Sequence, residues 1–334
     1  MKKKIFPVLK IIFFIALGFF FIFWFLGKLT PTEKQEILES FKSVNYFWVF
    51  VAFVVNMLSH VLRTLRWQLL FKPMGYKPKF GITFSSVMTG YLANLAVPRL
   101  GEVVRCGILD RYAKIPLQKS LGTVITERIV DVLVFGLAVL LGFLVEFQAL
   151  KDYIYDNIAD KSTDGVWTLV FLGLGVVALL ALLFFLFKKR LEKLTLYLKV
   201  KNIILGFWEG IMSIFKLKNP FLFIFYSIGI WILYFLSTYA IFFCLPETYS
   251  TGLKAALVTL VLGAIGNMIT PGGIGLYPLL FSKALSIYAV ASPIGYALGW
   301  ISWVVQQIGA VFIGLFSLIG LSLKKHGNGK TDIH

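Results

Sequence analysis

The chain has 334 residues, 58% of them hydrophobic and 16% aromatic. That composition excludes a water-soluble fold, because several apolar runs are long enough to cross a bilayer as helices. The formal charge of +17 comes from 33 basic and 16 acidic residues. The basic residues sit in short loops between apolar runs, which points to membrane orientation and contact with anionic lipid and away from nucleic acid. Cys106 and Cys244 fall in apolar segments far from any partner pattern, so they read as free thiols with no disulfide or metal role. His60, His326 and His334 are scattered.

Taken in chain order, the N-terminus opens on Lys2, Lys3 and Lys4 and an apolar run over 11–27. That run is too long for a signal-peptide core and no small-residue cleavage site follows, so it predicts an uncleaved first span over 5–27. A short loop with Glu33, Glu36 and Glu39 lies on the outer side. The second span, 46–71, ends among Arg63, Arg66, Lys72, Lys77 and Lys79 and so finishes in the cytoplasm. A broken segment over 80–111 comes next, then a long helix over 117–147 running outward to Asp152, Asp156, Asp160 and Asp164. A span over 166–187 returns to a basic stretch, 188–218, predicted as an amphipathic helix on the cytoplasmic face. A further span over 220–244, a second broken segment over 253–290 and a last span over 293–322 follow, with a polar tail at 323–334. Both termini are then cytoplasmic. The predicted fold is a single all-α polytopic membrane domain with six spanning helices and two re-entrant helical hairpins.

The two broken segments repeat one another. Gly90-x3-Asn94-x3-Pro98 and Gly263-x3-Asn267-x3-Pro271 stand 173 residues apart. Pro73 and Pro246, Tyr76 and Tyr249, Gly122 and Gly295, and Gly136 and Gly309 keep the same offset without a gap. The charge bias sends one broken segment in from the cytoplasm and the other from outside, so 45–147 and 218–322 read as an inverted-topology repeat, a pattern of transporters. Each first arm, 82–97 or 255–270, spans roughly 24 Å of helix against about 30 Å of hydrocarbon, so both tips reach the middle of the membrane. Proline at each tip removes an amide donor. The glycines of Pro271-Gly272-Gly273-Ile274-Gly275 allow a tight turn. Such a break is tolerated where protein or water surrounds it, although kinks in ordinary spanning helices would leave the same signature.

The richest polar cluster follows the first tip: Arg99, Glu102 and Arg105, with Asp110, Arg111 and Lys114 beyond. Glu102 and Arg105 are three apart and share a helical face, so they read either as a self-satisfied ion pair or as part of an anionic headgroup site with Arg99. A second cluster, Glu127-Arg128-x-x-Asp131, also shares one face and reads as interfacial charges that lock the hairpin to the long helix or as part of the same site. His60, Arg63 and Trp67 share a face at the end of the second span, where an anchoring role competes with a site. The second repeat carries one charge, Lys254, between Leu253 and Leu280. The sequence therefore predicts a charged vestibule opening inward at Asn94, Pro98 and Arg99, and a nearly neutral gate at Asn267, Pro271, Gly272, Gly273 and Gly275. No phosphate-binding loop, HExxH, GxSxG or CxxC motif occurs, so no cofactor, metal or hydrolase chemistry is expected.

Three stretches together resemble the transmembrane, flippase-like region of the lysylphosphatidylglycerol synthase family. They are His60-Val61-Leu62-Arg63-Thr64-Leu65-Arg66-Trp67, then Asn94 through Arg105 with Glu127-Arg128-x-x-Asp131, then Pro271-Gly272-Gly273-Ile274-Gly275. The resemblance covers about residues 45–320 and implies a bacterial inner-membrane protein that moves lipids or lipid-linked molecules between leaflets. Family members with an extra soluble aminoacyl-transfer domain also make lysyl-lipid; this sequence runs to His334 without one, so that synthesis, and enzymatic activity generally, is not expected. Where the family carries a glutamate after the second tip and an arginine early in the last span, this chain has Pro278, Trp300 and Trp303.

The leading reading is a lipid flippase acting on an anionic lipid or lipid-linked molecule, with Arg99, Glu102, Arg105 and Arg128 around the headgroup path. A membrane-embedded transferase with a polyprenyl-phosphate donor, using Glu102 or Asp131 as base, is the alternative. A non-catalytic scaffold of an envelope-lipid complex is a third. Expected partners are the lipid substrate and anionic lipid at the cytoplasmic surface, with no nucleic acid, and the sequence leaves room for a homo-oligomer.

Overall fold

The computed structural model describes residues 16, 19–96, 100–147 and 217–328. The predicted span over 166–187, the basic stretch 188–218 short of its last two residues, and most of the first span lie outside them. Within the described residues every regular element is helical. They are α1 (Phe19–Lys28), α2 (Pro31–Lys42), α3 (Tyr46–Phe71), α4 (Phe80–Ala96), α5 (Leu100–Ala113), α6 (Leu117–Val145), α7 (Pro220–Ile241), α8 (Gly252–Ile269), α9 (Leu276–Ser286) and α10 (Ser292–Asn328).

Local chemistry accounts for where several of these begin. Residues 31–42, expected as a loop, form α2 because Thr30 and Glu33 close a capping box: the Thr30 hydroxyl accepts from the Glu33 amide at 3.2 Å and the Glu33 carboxylate accepts from the Thr30 amide at 2.7 Å. Pro31 occupies the first helical position, where it lacks no needed donor. Asn45 starts α3 by accepting from the Phe47 amide at 3.1 Å. The Lys72–Met74 turn and Gly75, at φ +83°, end it.

Five helices among the described residues are long and apolar enough to cross a membrane: Tyr46–Met74, Leu117–Val145, Pro220–Cys244, Gly252–Ile269 and Ser292–Leu321. Their polarity is turned inside out. On α6, Ile125, Val132, Leu133, Leu137, Leu140 and Leu144 face outward, while Thr123, Glu127 and Asp131 are buried. On α3 the outward residues include Phe47, Phe50 and Leu58, and the buried ones include Asn56, His60, Arg63 and Arg66. Apolar surface that in water would be driven inward is at no disadvantage against lipid, so polar side chains take the interior. The chain is an all-α, multi-pass membrane protein.

Two helix pairs fold back on themselves. In α4 and α5 the backbones cross where Gly90 meets Gly101, and Ser86 donates from its hydroxyl to the Arg105 carbonyl at 2.6 Å, so the pair is antiparallel. A side chain at Gly101 would collide with Asn94 and with the Gly90 carbonyl, which is the close approach that small residues permit. In α8 and α9, Gly263 and Gly266 lie against Tyr277, again antiparallel. The Pro271–Gly273 turn between them packs on the end of α4, with Gly272 against Leu95. The second break therefore meets the end of α4. Helix α3 packs most extensively on α7, and α10 lies against both α4 and α9.

Candidate functional site: a buried arginine–carboxylate network

Three helices bring seven ionisable side chains together: Arg63 and Arg66 from α3, Glu102 and Arg105 from α5, and Glu127, Arg128 and Asp131 from α6. Asp131 receives Arg63 at 3.0 Å on one oxygen and Arg66 at 2.7 Å on the other. Glu127, with a side chain 0% exposed, is divided in the same way between Arg105 at 2.6 Å and Arg66 at 3.3 Å. At the edge of the network Glu102 receives Arg128 at 3.2 Å, with side chains 23% and 48% exposed. Arg128 also approaches Asp131, at 4.0 Å.

Neutral groups complete the shell. Arg63 donates to the Tyr234 hydroxyl at 3.2 Å and Arg66 to Ser227 at 3.2 Å, both on α7. The Arg105 guanidinium lies 4.3 Å from the Trp67 ring centre, and the Trp67 indole N–H donates to Thr123 at 2.8 Å. The His60 ring lies 4.6 Å from the Tyr91 ring, tilted by 58°, and its Nδ1 is buried without a partner. An arginine left alone at a bilayer centre costs about 2.5–3.5 kcal/mol on insertion scales, and a buried guanidinium without a counter-charge is penalised in the same way, so each needs its carboxylate. Four guanidinium groups face three carboxylates here, leaving one positive charge uncompensated among the described residues.

A cavity of about 20 Å³ opens on this network, lined by Arg63, Tyr91, Asn94, Glu102, Arg105 and Arg128 among others. The Nε atoms of Arg63 and Arg105 and one oxygen of Glu102 are buried with no hydrogen-bond partner. That space admits about one water molecule. Asn94 has a positioning role: its side-chain oxygen accepts the Gly101 amide at 2.7 Å and so caps the start of α5 from α4.

The structure brings Arg63, Asn94, Glu102, Arg105, Glu127, Arg128 and Asp131 together, where the sequence offered them as three separate clusters, and partners them differently. Glu102 and Arg105 do not pair with each other. Each reaches instead to α6, against which α5 packs: Arg105 to Glu127 at 2.6 Å and Glu102 to Arg128 at 3.2 Å. Arg63 and Trp67 are not interfacial anchors: both are buried, and Arg63 holds Asp131. Pro98 and Arg99 lie outside the described residues. Arg66, Tyr91, Ser227 and Tyr234 were not singled out from the sequence. For Arg66 a signal existed, since it follows Arg63 by three on one face and a second buried arginine requires a second carboxylate.

The second break is polar but neutral. Asn267 donates to Gln306 at 3.1 Å, and Gln306 donates to the Tyr277 hydroxyl at 2.7 Å, which also bonds Ser302 at 2.8 Å. The Gly272 carbonyl accepts from the Trp303 indole at 2.6 Å and from Gln307 at 3.1 Å. Gly272, Gly273 and Gly275 have φ of +57°, +79° and +74°, which a side chain would strain, and Pro271 is buried. Lys254 is directed away, to Glu146 at 3.8 Å. Among the described residues no His, Cys, Asp and Glu side chains cluster as a metal site.

Helices with lipid-facing apolar surfaces, two back-folded pairs and a charged interior define a multi-pass membrane protein built around an ion network. The family model described as the lysylphosphatidylglycerol synthase TM region matches residues 8–314, and the chain belongs to that family. It is 22% identical over 312 residues to the UPF0104 membrane protein MJ1595 of Methanocaldococcus jannaschii, covering 85% of this chain and 88% of that protein. It is 23% identical over 291 residues to Glycosyltransferase AglD of Haloferax volcanii, covering 78% of this chain and 46% of that protein. No solved structure matches the chain. The expectation that the chain is not an enzyme is corrected by the second relative, which carries the name of one: the absence of a soluble-enzyme motif does not separate this chain from a glycosyltransferase. Neither relative supports the bacterial inner-membrane placement that the resemblance implied.

Proposed function

We propose that the chain moves an anionic lipid or lipid-linked molecule between leaflets, with the network of α3, α5 and α6 receiving the headgroup. The observation that carries this is the surplus guanidinium at a cavity whose arginines are already held in place by carboxylates. Such preset forks match a phosphate in geometry and charge without having to be ordered first. The cavity of about 20 Å³ is too small for a headgroup as it stands, so admission requires α5 to part from α6. The pair that must open is Glu102 with Arg128, the most exposed in the network, and exposed pairs are worth only about 0–1 kcal/mol. The headgroup would enter from the face where α3 ends, α4 begins and α5 turns into α6, which carries Lys72, Lys77, Lys79, Lys114 and Lys119 and which we place in the cytoplasm. We take α4–α5 and α8–α9 as the re-entrant hairpins of an inverted repeat, the first bearing the charged site and the second a neutral gate at Asn267 and Pro271–Gly275.

Reconstitution in vesicles tests this reading. Leaflet exchange of labelled phosphatidylglycerol should exceed that of protein-free vesicles and fall in Arg99→Ala and Arg105→Ala. Exchange equal to protein-free vesicles for every anionic lipid tried would sink it.

The AglD relative favours a second reading, glycosyl transfer involving a lipid-linked substrate. Glu102, with one unpartnered oxygen at the cavity, is then the candidate base. Both Asp131 oxygens are occupied by arginines, which removes it from that role. Product formed from a polyprenyl-phosphate sugar by the purified chain, and lost in Glu102→Gln, would favour transfer over movement.

A further inference from the structure

Helix α5 has a second face that the ion network does not use. Glu102 and Arg105 point to α6, while Val104, Gly107 and Ile108 line an apolar groove closed on its other side by Leu318 and Leu321 of α10. The groove holds about 250 Å³, against about 20 Å³ for the cavity at the network. At its mouth stands Arg111, exposed, with its guanidinium 5.6 Å from the Tyr112 ring centre. Arg111 pairs with no carboxylate among the described residues, in contrast to every arginine of the network.

The arrangement has a direction. Arg111 lies in the last turn of α5, at the basic end of the bundle where Lys114 and Lys119 also sit. Val104 lies two turns deeper, roughly 10 Å along the helix. A cation at the basic rim over an apolar trough running inward complements a molecule with one negative charge and a hydrocarbon tail. In a membrane protein the surrounding solvent is made of such molecules, and one basic residue near an anionic leaflet is worth about 1 kcal/mol.

We propose that this groove is a binding site for an anionic phospholipid of the leaflet at the basic face, with its phosphate on Arg111 and one acyl chain between α5 and α10. The site is separate from the ion network and stands whether or not the protein moves lipids. Occupation would wedge the outer face of α5, the same helix that carries Glu102 and Arg105 on its inner face.

The test uses the full chain in vesicles of phosphatidylcholine and phosphatidylglycerol containing a phosphatidylglycerol probe with a photoreactive group in its acyl chain. After illumination, peptide mass spectrometry should place adducts on residues 104–112 and around Leu318 and Leu321. A phosphatidylcholine probe should label there less. In Arg111→Gln, an exposed substitution that leaves the fold alone, the preference for phosphatidylglycerol should drop about fivefold, the worth of one basic residue at an anionic surface. Gly107→Phe places a ring in the open space beside Gly107 and should remove most adducts by filling the groove. Equal labelling by both probes in the unmodified protein, or adducts undiminished by both substitutions, would overturn the proposal. Because the readout is labelling, a protein that binds here without exchanging lipid fails only the flippase reading.

Discussion

Glu127→Leu is the most informative single substitution. Glu127 is fully buried and holds Arg105 at 2.6 Å and Arg66 at 3.3 Å. Removing it treats the two arginines unequally. Arg66 keeps Asp131 at 2.7 Å and Ser227 at 3.2 Å. Arg105 keeps the face of Trp67 at 4.3 Å and no carboxylate. Stranding one buried charge costs about 3–5 kcal/mol by removal of a buried partner, and insertion scales give a similar figure of about 2.5–3.5 kcal/mol. Glu127→Leu should therefore destabilise by about 3 kcal/mol. Adding Arg105→Met removes the stranded charge, and replacement of a whole buried pair by apolar groups is often neutral, so the double variant should regain about 2 kcal/mol or more. The assay is unfolding by SDS in mixed micelles at fixed lipid content, followed by tryptophan fluorescence. A single variant within about 0.5 kcal/mol of the unmodified protein, or a double variant no more stable than the single, would refute the reasoning.

Three further outcomes follow from the same geometry. Gly101→Ala pushes a methyl group against Asn94 and the Gly90 carbonyl, and should cost about 1–3 kcal/mol in the same unfolding assay; an unchanged midpoint would mean that the α4–α5 crossing is looser than described. Glu102→Gln opens a partly exposed pair, so stability should shift by less than about 1 kcal/mol while leaflet exchange changes; a stability loss as large as that of Glu127→Leu would contradict the assignment of Glu102 to the edge of the network. Cys106 and Cys244, each 0% exposed, should resist a membrane-permeant maleimide in the folded protein and both react in SDS; rapid labelling before unfolding would place them elsewhere.

Much of the backbone was legible in the sequence, because helix-breaking residues and apolar runs are local signals. The second span was expected over 46–71, the bounds of α3, and helical segments expected over 82–97 and 255–270 coincide with Phe80–Ala96 and Gly252–Ile269. Helix α2 was also legible and was overlooked: Thr30-Pro31-x-Glu33 is a capping box with proline at its first position. The partners within the site were not legible. Helical-face spacing pairs Glu102 with Arg105, but the observed partners come from α6, 26 residues from Glu102 and 22 from Arg105. Arg63 and Arg66 looked like the basic end of a span because their counter-charges lie 68 and 65 residues further along the chain, at Asp131. Local periodicity reports which side chains share a face and says nothing of which helix that face will meet. Tyr234 and Ser227 were invisible for the same reason: along α7, nothing marked the two residues that reach the arginines of α3.

The central claim is that the buried network receives an anionic headgroup, and leaflet exchange in vesicles tests it most directly. Labelled phosphatidylglycerol and phosphatidylcholine are compared for the unmodified protein and for Arg128→Gln, which alters the edge of the network and leaves its buried pairs in place. The account predicts that phosphatidylglycerol exchanges faster than phosphatidylcholine, and that Arg128→Gln reduces the phosphatidylglycerol rate about tenfold, the worth of one charge-assisted contact. Equal rates for the two lipids, unchanged by Arg128→Gln, would contradict it.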